Sequence, residues 1–313
     1  MTAVWAVLLV GSLAGWAVLD GANQGLGATL RRVGRTPGER RTVLTALGPF
    51  LLAGEVWLIA AAGVLVAGFP ALERDLWFVA YPLVVALLVS WVLRDAGVWL
   101  RSRRPGALWR AGWERVIVVA SVALPLVAGA LLGGALVWLP PQPSVAARAV
   151  VPVLAGLSAV GVTRVLGSTF VATRTSGDLR ERAARTARRA LPWSAGLLAA
   201  TALAYVVLVP ADGPVTAILP PLVVVAGSGS ALVARPALDD GRLHRALLAL
   251  VVGGALPVVA AAVALAPRLV ATASPAPDLG LVLLACAPVL LAAQAWVWRT
   301  FRHPVGPRDA VFY

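Results

Sequence analysis

Long apolar runs, broken by short segments that carry arginine or proline, alternate along almost the whole chain. A run of about 20 apolar residues is long enough to cross the hydrocarbon core of a bilayer as a helix. The pattern therefore predicts an all-α, polytopic membrane protein. We expect nine transmembrane helices, over residues 3–30, 43–68, 76–100, 115–139, 149–172, 191–210, 215–234, 246–267 and 279–298.

The basic residues fall on alternate connections between these runs. All 27 are arginine, and 22 of them lie in segments 31–41, 101–115, 174–189 and 235–245 or in the tail from residue 299. The positive-inside rule then predicts an outer N-terminus and a cytoplasmic C-terminus in the cell (plasma) membrane, with anionic lipid as the counter-charge. The net charge of +13 therefore does not call for nucleic acid as a partner.

The first apolar run has no basic residue before it and is followed at once by Arg31 and Arg32, so we expect a retained helix rather than a cleaved signal. Ligands for a redox cofactor are scarce. The only histidines lie on the predicted cytoplasmic side, and we expect the single cysteine, Cys286, to be a small packing residue in the last span. The sequence therefore predicts no haem and no metal in this chain.

Two loops share a pattern that indicates an internal repeat. Thr36 with Glu39, and Thr175 with Asp178, each fit a capping box, in which a hydroxyl and a carboxylate satisfy a helix start. The alternative is a chance match in two arginine-rich loops. The repeat predicts a first four-helix bundle in residues 1–140, a second in 147–268, and a peripheral ninth helix with a cytoplasmic tail in 278–313.

Asp20 and Glu55 are acids inside the predicted spans. Asp20 lies 11 residues before Arg31, and Glu55 lies 14 residues after Arg41. At the rise of a helix, both are buried by roughly 16 to 21 Å on neighbouring spans. An ionised carboxylate there costs about 3 kcal/mol, so each must be protonated, hydrated or paired. A proton relay and a neutral acid bonded to a backbone carbonyl both remain open.

Two arginines also lie within spans, and both are candidates for a buried or interface cation. For Arg94 the favoured interpretation is that it snorkels to the inner boundary or forms a local ion pair with its neighbour Asp95. Arg164 lies ten residues before Arg174, too deep to reach water easily. We expect Arg164 to face the bundle interior or a partner subunit.

An ordered set of short segments resembles subunit II of the cytochrome bd-type quinol oxidases. They are Asp20 to Gly27, Gly48-Pro49, Gly54 to Leu58, Phe69-Pro70, Leu93-Arg94, Trp113-Glu114, Arg174 to Leu179 and Trp298 to Arg302. The resemblance implies nine helices as two four-helix bundles plus a peripheral helix. It also implies a larger subunit I that carries the haems and the quinol site, and a haem-free subunit II that stabilises it and helps conduct protons.

Three positions depart from the family pattern. Asn23 stands where the family has the second acid of Asp-Gly-Phe-Asp, Leu52 replaces the acid of Gly-Pro-x-Trp-Asp-Gly-Asn, and Trp99 lies near the place of another acid. The resemblance then implies that Asn23 and Leu52 interrupt a proton route from the inward faces of the first two helices. The remaining acidic candidates are Asp20, Glu55 and Glu114.

The favoured hypothesis is a haem-free, non-catalytic subunit II-like component of a bd-type quinol:oxygen oxidoreductase. Its expected partners are a haem-bearing subunit I and membrane lipid, and a quinone is a further candidate. The alternative is a divergent membrane scaffold or transport-like protein that kept the fold and lost the respiratory role. A neighbouring gene for subunit I favours the first hypothesis, and a stable haem-free protein without that partner favours the second.

Overall fold

The computed structural model describes residues 2–139, 143–209, 214–274 and 277–306, and every regular element among them is a helix. The prediction of an all-α membrane protein is confirmed. The helices are α1 (Thr2–Val33), α2 (Pro37–Gly68), α3 (Pro70–Leu100), α4 (Ala107–Trp138), α5 (Val145–Arg174), α6 (Gly177–Leu208), α7 (Pro214–Asp239), α8 (Leu243–Ala264), α9 (Ala266–Thr272) and α10 (Pro277–Thr300).

Within the described ranges, eight helices are long and apolar enough to cross a membrane, so the predicted count of nine is approximate. Helix α7 covers the seventh predicted span, but some of its side chains lie outside the described set. The predicted span 246–267 is divided, because Pro267 lies in the first turn of the short helix α9. Helices α4 and α6 begin well before the predicted spans, since arginine is a good helix former and their arginine-bearing segments are also helical.

The first predicted capping box is confirmed. The Thr36 hydroxyl accepts from the Glu39 backbone N–H at 3.2 Å, and the Glu39 carboxylate accepts from the Thr36 N–H at 3.1 Å. The second box, Thr175 with Asp178, is wrong. Thr175 is the C-cap residue that follows α5, and it donates its hydroxyl to the Val171 carbonyl at 2.8 Å. The side chain of Ser176, at the N-cap of α6, makes no capping bond. The repeat loses one of its two supporting motifs and stays a prediction.

Helix α1 is central and packs against α2, α4, α5 and α8. It crosses α5 at close range, at a point where glycine faces backbone. A Cβ atom added to Gly25 would lie 1.7 Å from the Thr163 carbonyl oxygen, and one added to Gly167 would lie 2.1 Å from the Leu26 nitrogen. Only glycine permits this crossing, in which the backbones themselves are in contact.

Helix α10 packs against α2 through an aromatic contact. The Trp298 ring lies 4.9 Å from the ring of Phe50 and 5.7 Å from that of Phe170, measured between centroids. Cys286 on the same helix is exposed, so the prediction that it packs within the chain is wrong. A short apolar thiol is compatible with an outward position in a membrane helix.

The glycine contact between α1 and α5 predicts a clear stability difference. Gly25→Ala should cost about 1–3 kcal/mol, because the added methyl group meets backbone that cannot rotate away. Gly11→Ala on the same helix is the matched control, since a Cβ atom there meets nothing within 4 Å. Thermal unfolding of the detergent-purified chain checks this. Equal melting temperatures for the two variants would contradict the proposed close packing.

Candidate functional site

Helices α1, α2 and α3 converge on one buried guanidinium. Arg94 on α3 donates from Nη1 to both carboxylate oxygens of Asp20 on α1, at 2.9 Å each, and from Nη2 to Glu55 Oε1 on α2 at 2.6 Å. Its Nε donates to Oδ1 of the adjacent Asp95 at 3.0 Å. The Arg94 side chain is only 1% exposed. We call Arg94, Asp20, Glu55 and Asp95 the Arg94 cluster.

Three further donors on α1 surround the Asp20 carboxylate. Trp16 Nε1 and Gln24 Nε2 donate to Oδ2 at 3.1 and 2.9 Å, and Asn23 Nδ2 donates to Oδ1 at 3.3 Å. These residues lie three or four positions from Asp20, so they share its face of the helix. Together with Arg94, four side chains therefore donate to the two oxygens of this carboxylate.

Glycine allows α2 to approach this carboxylate. A Cβ atom added to Gly54 would lie 2.9 Å from Asp20 Cα and 2.9 Å from Asn23 Nδ2. The Asn23 amide also donates to the Phe50 carbonyl at 2.8 Å, which ties α1 to α2 a second time. The local sequence Gly54-Glu55 therefore supplies both the space for the contact and the acid that faces Arg94.

A second ion cluster lies at the arginine-rich end of the bundle. Buried Glu114 on α4 accepts from Arg101 Nε and Nη2 at 3.1 and 2.8 Å and from Arg40 Nη1 at 2.8 Å. Nearby, Arg182 on α6 forms an ion pair with Glu39 and donates to the Val33 carbonyl at 2.9 Å. These bonds join the ends of α1 and α2 to α3, α4 and α6.

Comparison with known proteins identifies the family of this chain. The family model "Cytochrome bd terminal oxidase subunit II" matches residues 1–301. The chain belongs to this family. It is 31% identical over 196 residues to "Cytochrome bd-I ubiquinol oxidase subunit 2" of Escherichia coli K12, covering 59% of this chain and 52% of that protein. It is 27% identical over 212 residues to "Cytochrome bd ubiquinol oxidase subunit 2" of Bacillus subtilis 168, covering 66% and 62%.

The matched region thus spans about half the length of the Escherichia coli relative. In this subunit II family member, the structure brings together Asp20 and Glu55, which sequence analysis put at similar depth. It places Glu114 in a separate cluster. Arg94 does pair with Asp95, but the snorkelling alternative is wrong, because the guanidinium points into the bundle toward both acids.

The positions that depart from the family pattern are not all on one face. Asn23 is fully buried beside Asp20. Leu52 is 62% exposed, so the prediction that it faces inward is wrong. Helix α2 buries Leu51 and Glu55, four residues apart, and Leu52 lies about 100° round the helix from Leu51. Trp99 is also on the outer surface of α3, 48% exposed.

Arg164 on α5 is half-buried. Its Nε is shielded from solvent and makes no hydrogen bond among the described residues. The carbonyl of the preceding residue, Thr163, lies at the crossing with Gly25. The intrachain ion pairs of the described region do not include Arg164, so no carboxylate there compensates its charge.

An apolar cavity of about 220 Å³ lies beside the Arg94 cluster, between α1, α4, α5, α6 and α8. Trp16 and Gln24, which donate to Asp20, also line this cavity. Leu132, Val162 and Val258 contribute to its apolar wall. Across the whole described part of the chain, no group of three or more histidine, cysteine, aspartate or glutamate residues is arranged to hold a metal ion.

The sequence pattern does not predict that Arg94 joins three helices, or that Trp16 and Gln24 donate to Asp20. One signal was available. Arg94 lies seven residues before Arg101, or about 10 Å inside the arginine-rich boundary, within side-chain reach of acids at the depth predicted for Asp20 and Glu55. Trp16 and Gln24 also flank Asp20 at helical spacing of four.

Removing the central cation should destabilise the fold. Arg94→Leu should cost about 3–5 kcal/mol, because it leaves buried carboxylates without their compensating charge. Arg94→Lys should lie between wild type and Arg94→Leu, since an ammonium keeps the charge but lacks the planar fork that serves three acids. The measurement is thermal unfolding in detergent, with Arg103→Leu in an exposed loop as the control. An Arg94→Leu protein that melts with this control would rule out a structural role for the cluster.

Proposed function

We propose that this chain is the haem-free subunit II of a bd-type quinol:oxygen oxidoreductase and that it stabilises a haem-bearing subunit I. The observation that carries the proposal is the family match over residues 1–301. Two relatives are named as subunit 2 of a ubiquinol oxidase, which supports a role in a complex of that kind. We assign no electron-transfer step to the residues of this chain, and haem is expected in the partner subunit.

The arginine-rich end is proposed to lie in the cytoplasm, with the N-terminus outside. The final turns of α1 and α5 carry Arg31, Arg32 and Arg174, and the loops that follow continue the positive charge. Positive charge is retained on the cytoplasmic side of bacterial membranes, where anionic lipid compensates it. Two bundles in residues 1–140 and 147–268 with a peripheral last helix remain our proposal for the domain organisation.

Proton conduction through this chain is proposed to be reduced. Asn23 lies where the resemblance places an acid, and an amide does not exchange its proton as a carboxyl does. Of the remaining acids, Glu114 is bound by two guanidinium groups and Asp20 by one guanidinium and three neutral donors. Both are therefore engaged in structural ion pairs. Leu52 faces outward, so it does not contribute to this interruption of the proton route.

Membrane lipid or a quinone is a proposed further partner. The cavity between α1, α4, α5, α6 and α8 has an almost wholly apolar lining, which suits a hydrocarbon chain better than a polar head group. Its few polar side chains, among them Gln24, Ser158 and Thr201, lie at separate points on the wall.

The assay for the oxidase role is co-purification. The tagged chain, expressed with the subunit I gene of its own genome, should recover a complex with a haem absorption spectrum, while the chain expressed alone should show none. A stable haem-free protein that never retains subunit I would instead support the divergent scaffold or transport-like alternative.

Arg164 gives a sharper version of this assay. Its uncompensated, half-buried guanidinium suggests a partner in the other subunit. We predict that Arg164→Leu inserts normally but recovers several-fold less subunit I, whereas exposed Arg110→Leu at the arginine-rich end has no effect. Equal recovery at equal expression would remove Arg164 from the interface.

Restoring an acid at position 23 tests the interrupted route. In Asn23→Asp, two carboxyl groups would lie where the Asn23 amide and Asp20 Oδ1 are now 3.3 Å apart, so the pair should hold a proton. We expect faster proton uptake by the assembled complex during turnover. Asn23→Gln is the control because it keeps an amide. Uptake rates that do not differ between the two variants would count against a route at this position.

A further inference from the structure

The two ion clusters have opposite charge balances. At the arginine-rich end, the one carboxylate of Glu114 is bound by two guanidinium groups, from Arg40 and Arg101. In the Arg94 cluster, one guanidinium serves three carboxyl groups, those of Asp20, Glu55 and Asp95. If all three were ionised, the cluster would carry a net charge of −2 inside an apolar bundle, at a high cost in free energy.

The positions of the acids on the guanidinium show where the excess charge lies. Asp20 occupies Nη1 with both of its oxygens. Nε and Nη2 form one edge of the planar fork, which ordinarily binds a single carboxylate. In Arg101 this edge binds only Glu114. In Arg94 it binds Asp95 Oδ1 at 3.0 Å and Glu55 Oε1 at 2.6 Å, so two different carboxyl groups lie side by side.

The three acids also differ in their other donors. Asp20 accepts from Trp16, Asn23 and Gln24 in addition to Arg94, so four side chains donate to its two oxygens. Among the described hydrogen bonds, Glu55 and Asp95 each receive only the single donor from Arg94. One ionised acid on this edge, together with Asp20, leaves the cluster with a net charge of −1, whereas two would bring like charges into contact.

We propose that Glu55 and Asp95 form a carboxyl pair that holds one proton between them at neutral pH. The proton bridges an oxygen of one acid to an oxygen of the other, and the pair releases or takes up that proton alone. The proton enters and leaves the pair through Asp95, because the Asp95 side chain is 24% exposed and that of Glu55 is only 7% exposed. Use of this proton in the complex rests on the proposed function, but the pair itself is a property of this chain.

Charged groups on every packed helix are consistent with this assignment. From α1 the pair faces Asp20, and from α3 it faces Arg94. Glu114 on α4 is already engaged by Arg40 and Arg101. Helices α5 and α10 also pack on α2, and α9 packs on α3. The ion pairs of the described region do not join Glu55 or Asp95 to the arginines of these helices, which are Arg148, Arg164, Arg174, Arg268 and Arg299.

Infrared difference spectroscopy of the purified full-length chain, in whatever complex it co-purifies, tests the proposal. At neutral pH the wild-type protein should show the carbonyl stretch of a protonated carboxyl group, shifted in D2O. Either Asp95→Asn or Glu55→Gln should abolish the band, because the remaining acid has the Arg94 edge to itself and ionises. Glu114→Gln is the control and should keep the band, since Glu114 is already fully compensated.

If a variant does not fold, a pH titration of the wild-type protein replaces it. Alkaline pH should remove the carboxyl band, with a loss equivalent to one proton per chain. A wild-type protein without the band at neutral pH, or a band that survives both Asp95→Asn and Glu55→Gln, would overturn the proposal. A band lost only in Glu114→Gln would also overturn it. The spectrum needs no oxygen reduction, so failure of the oxidase role and failure of the carboxyl pair are separate results.

Discussion

A guanidinium without access to water is the constraint on which the first three helices depend. Arg94 is deep in an apolar bundle, and its charge is tolerable only where carboxylates and further donors surround it. Asp20 and Glu55 must therefore come from two different helices to the same point. Gly54 provides the space for that approach, and Asn23 and Gln24 complete the shell on the side of α1.

The rest of the bundle is organised around the same helix. The glycine crossing brings the backbone of α5 against that of α1, five residues along α1 from Asp20. Beyond the apolar zone, Arg182 joins α6 to the Glu39 capping box and to the last carbonyl of α1. Backbone packing and an ion pair thus fix α5 and α6 against α1 and α2 at two levels, one within the apolar spans and one at the arginine-rich end.

Much of this fold follows from the sequence, because apolar length and arginine placement are one-dimensional signals. The depth of Asp20 and Glu55 follows in the same way from helix rise. Rotation about the helix axis is harder to predict. The resemblance alone puts Leu52 on the inward face, yet Leu52 faces outward, since neighbouring helical residues differ by about 100° in direction.

The acids on other helices that Arg94 binds are equally hard to predict from the sequence. Arg94 has an acid next to it along the chain, so the local pair with Asp95 was the obvious interpretation, and that pair does form. The bonds to Asp20 and Glu55 join residues 74 and 39 positions apart, and only packing brings them together. The predicted capping box at Thr175 is absent for a related reason. The Thr175 hydroxyl bonds the Val171 carbonyl of the preceding helix instead of capping α6.

A double-mutant cycle on Arg94 and Asp20 tests the central claim most directly. The free energies of unfolding of the wild type, Arg94→Gln, Asp20→Asn and the double variant give the coupling between the two side chains, independent of the cost of each substitution alone. A buried ion pair that organises the helices predicts a coupling of at least about 1 kcal/mol, with the double variant more stable than the sum of the single changes implies. Strictly additive single effects would show that the two residues do not act together and would contradict the account.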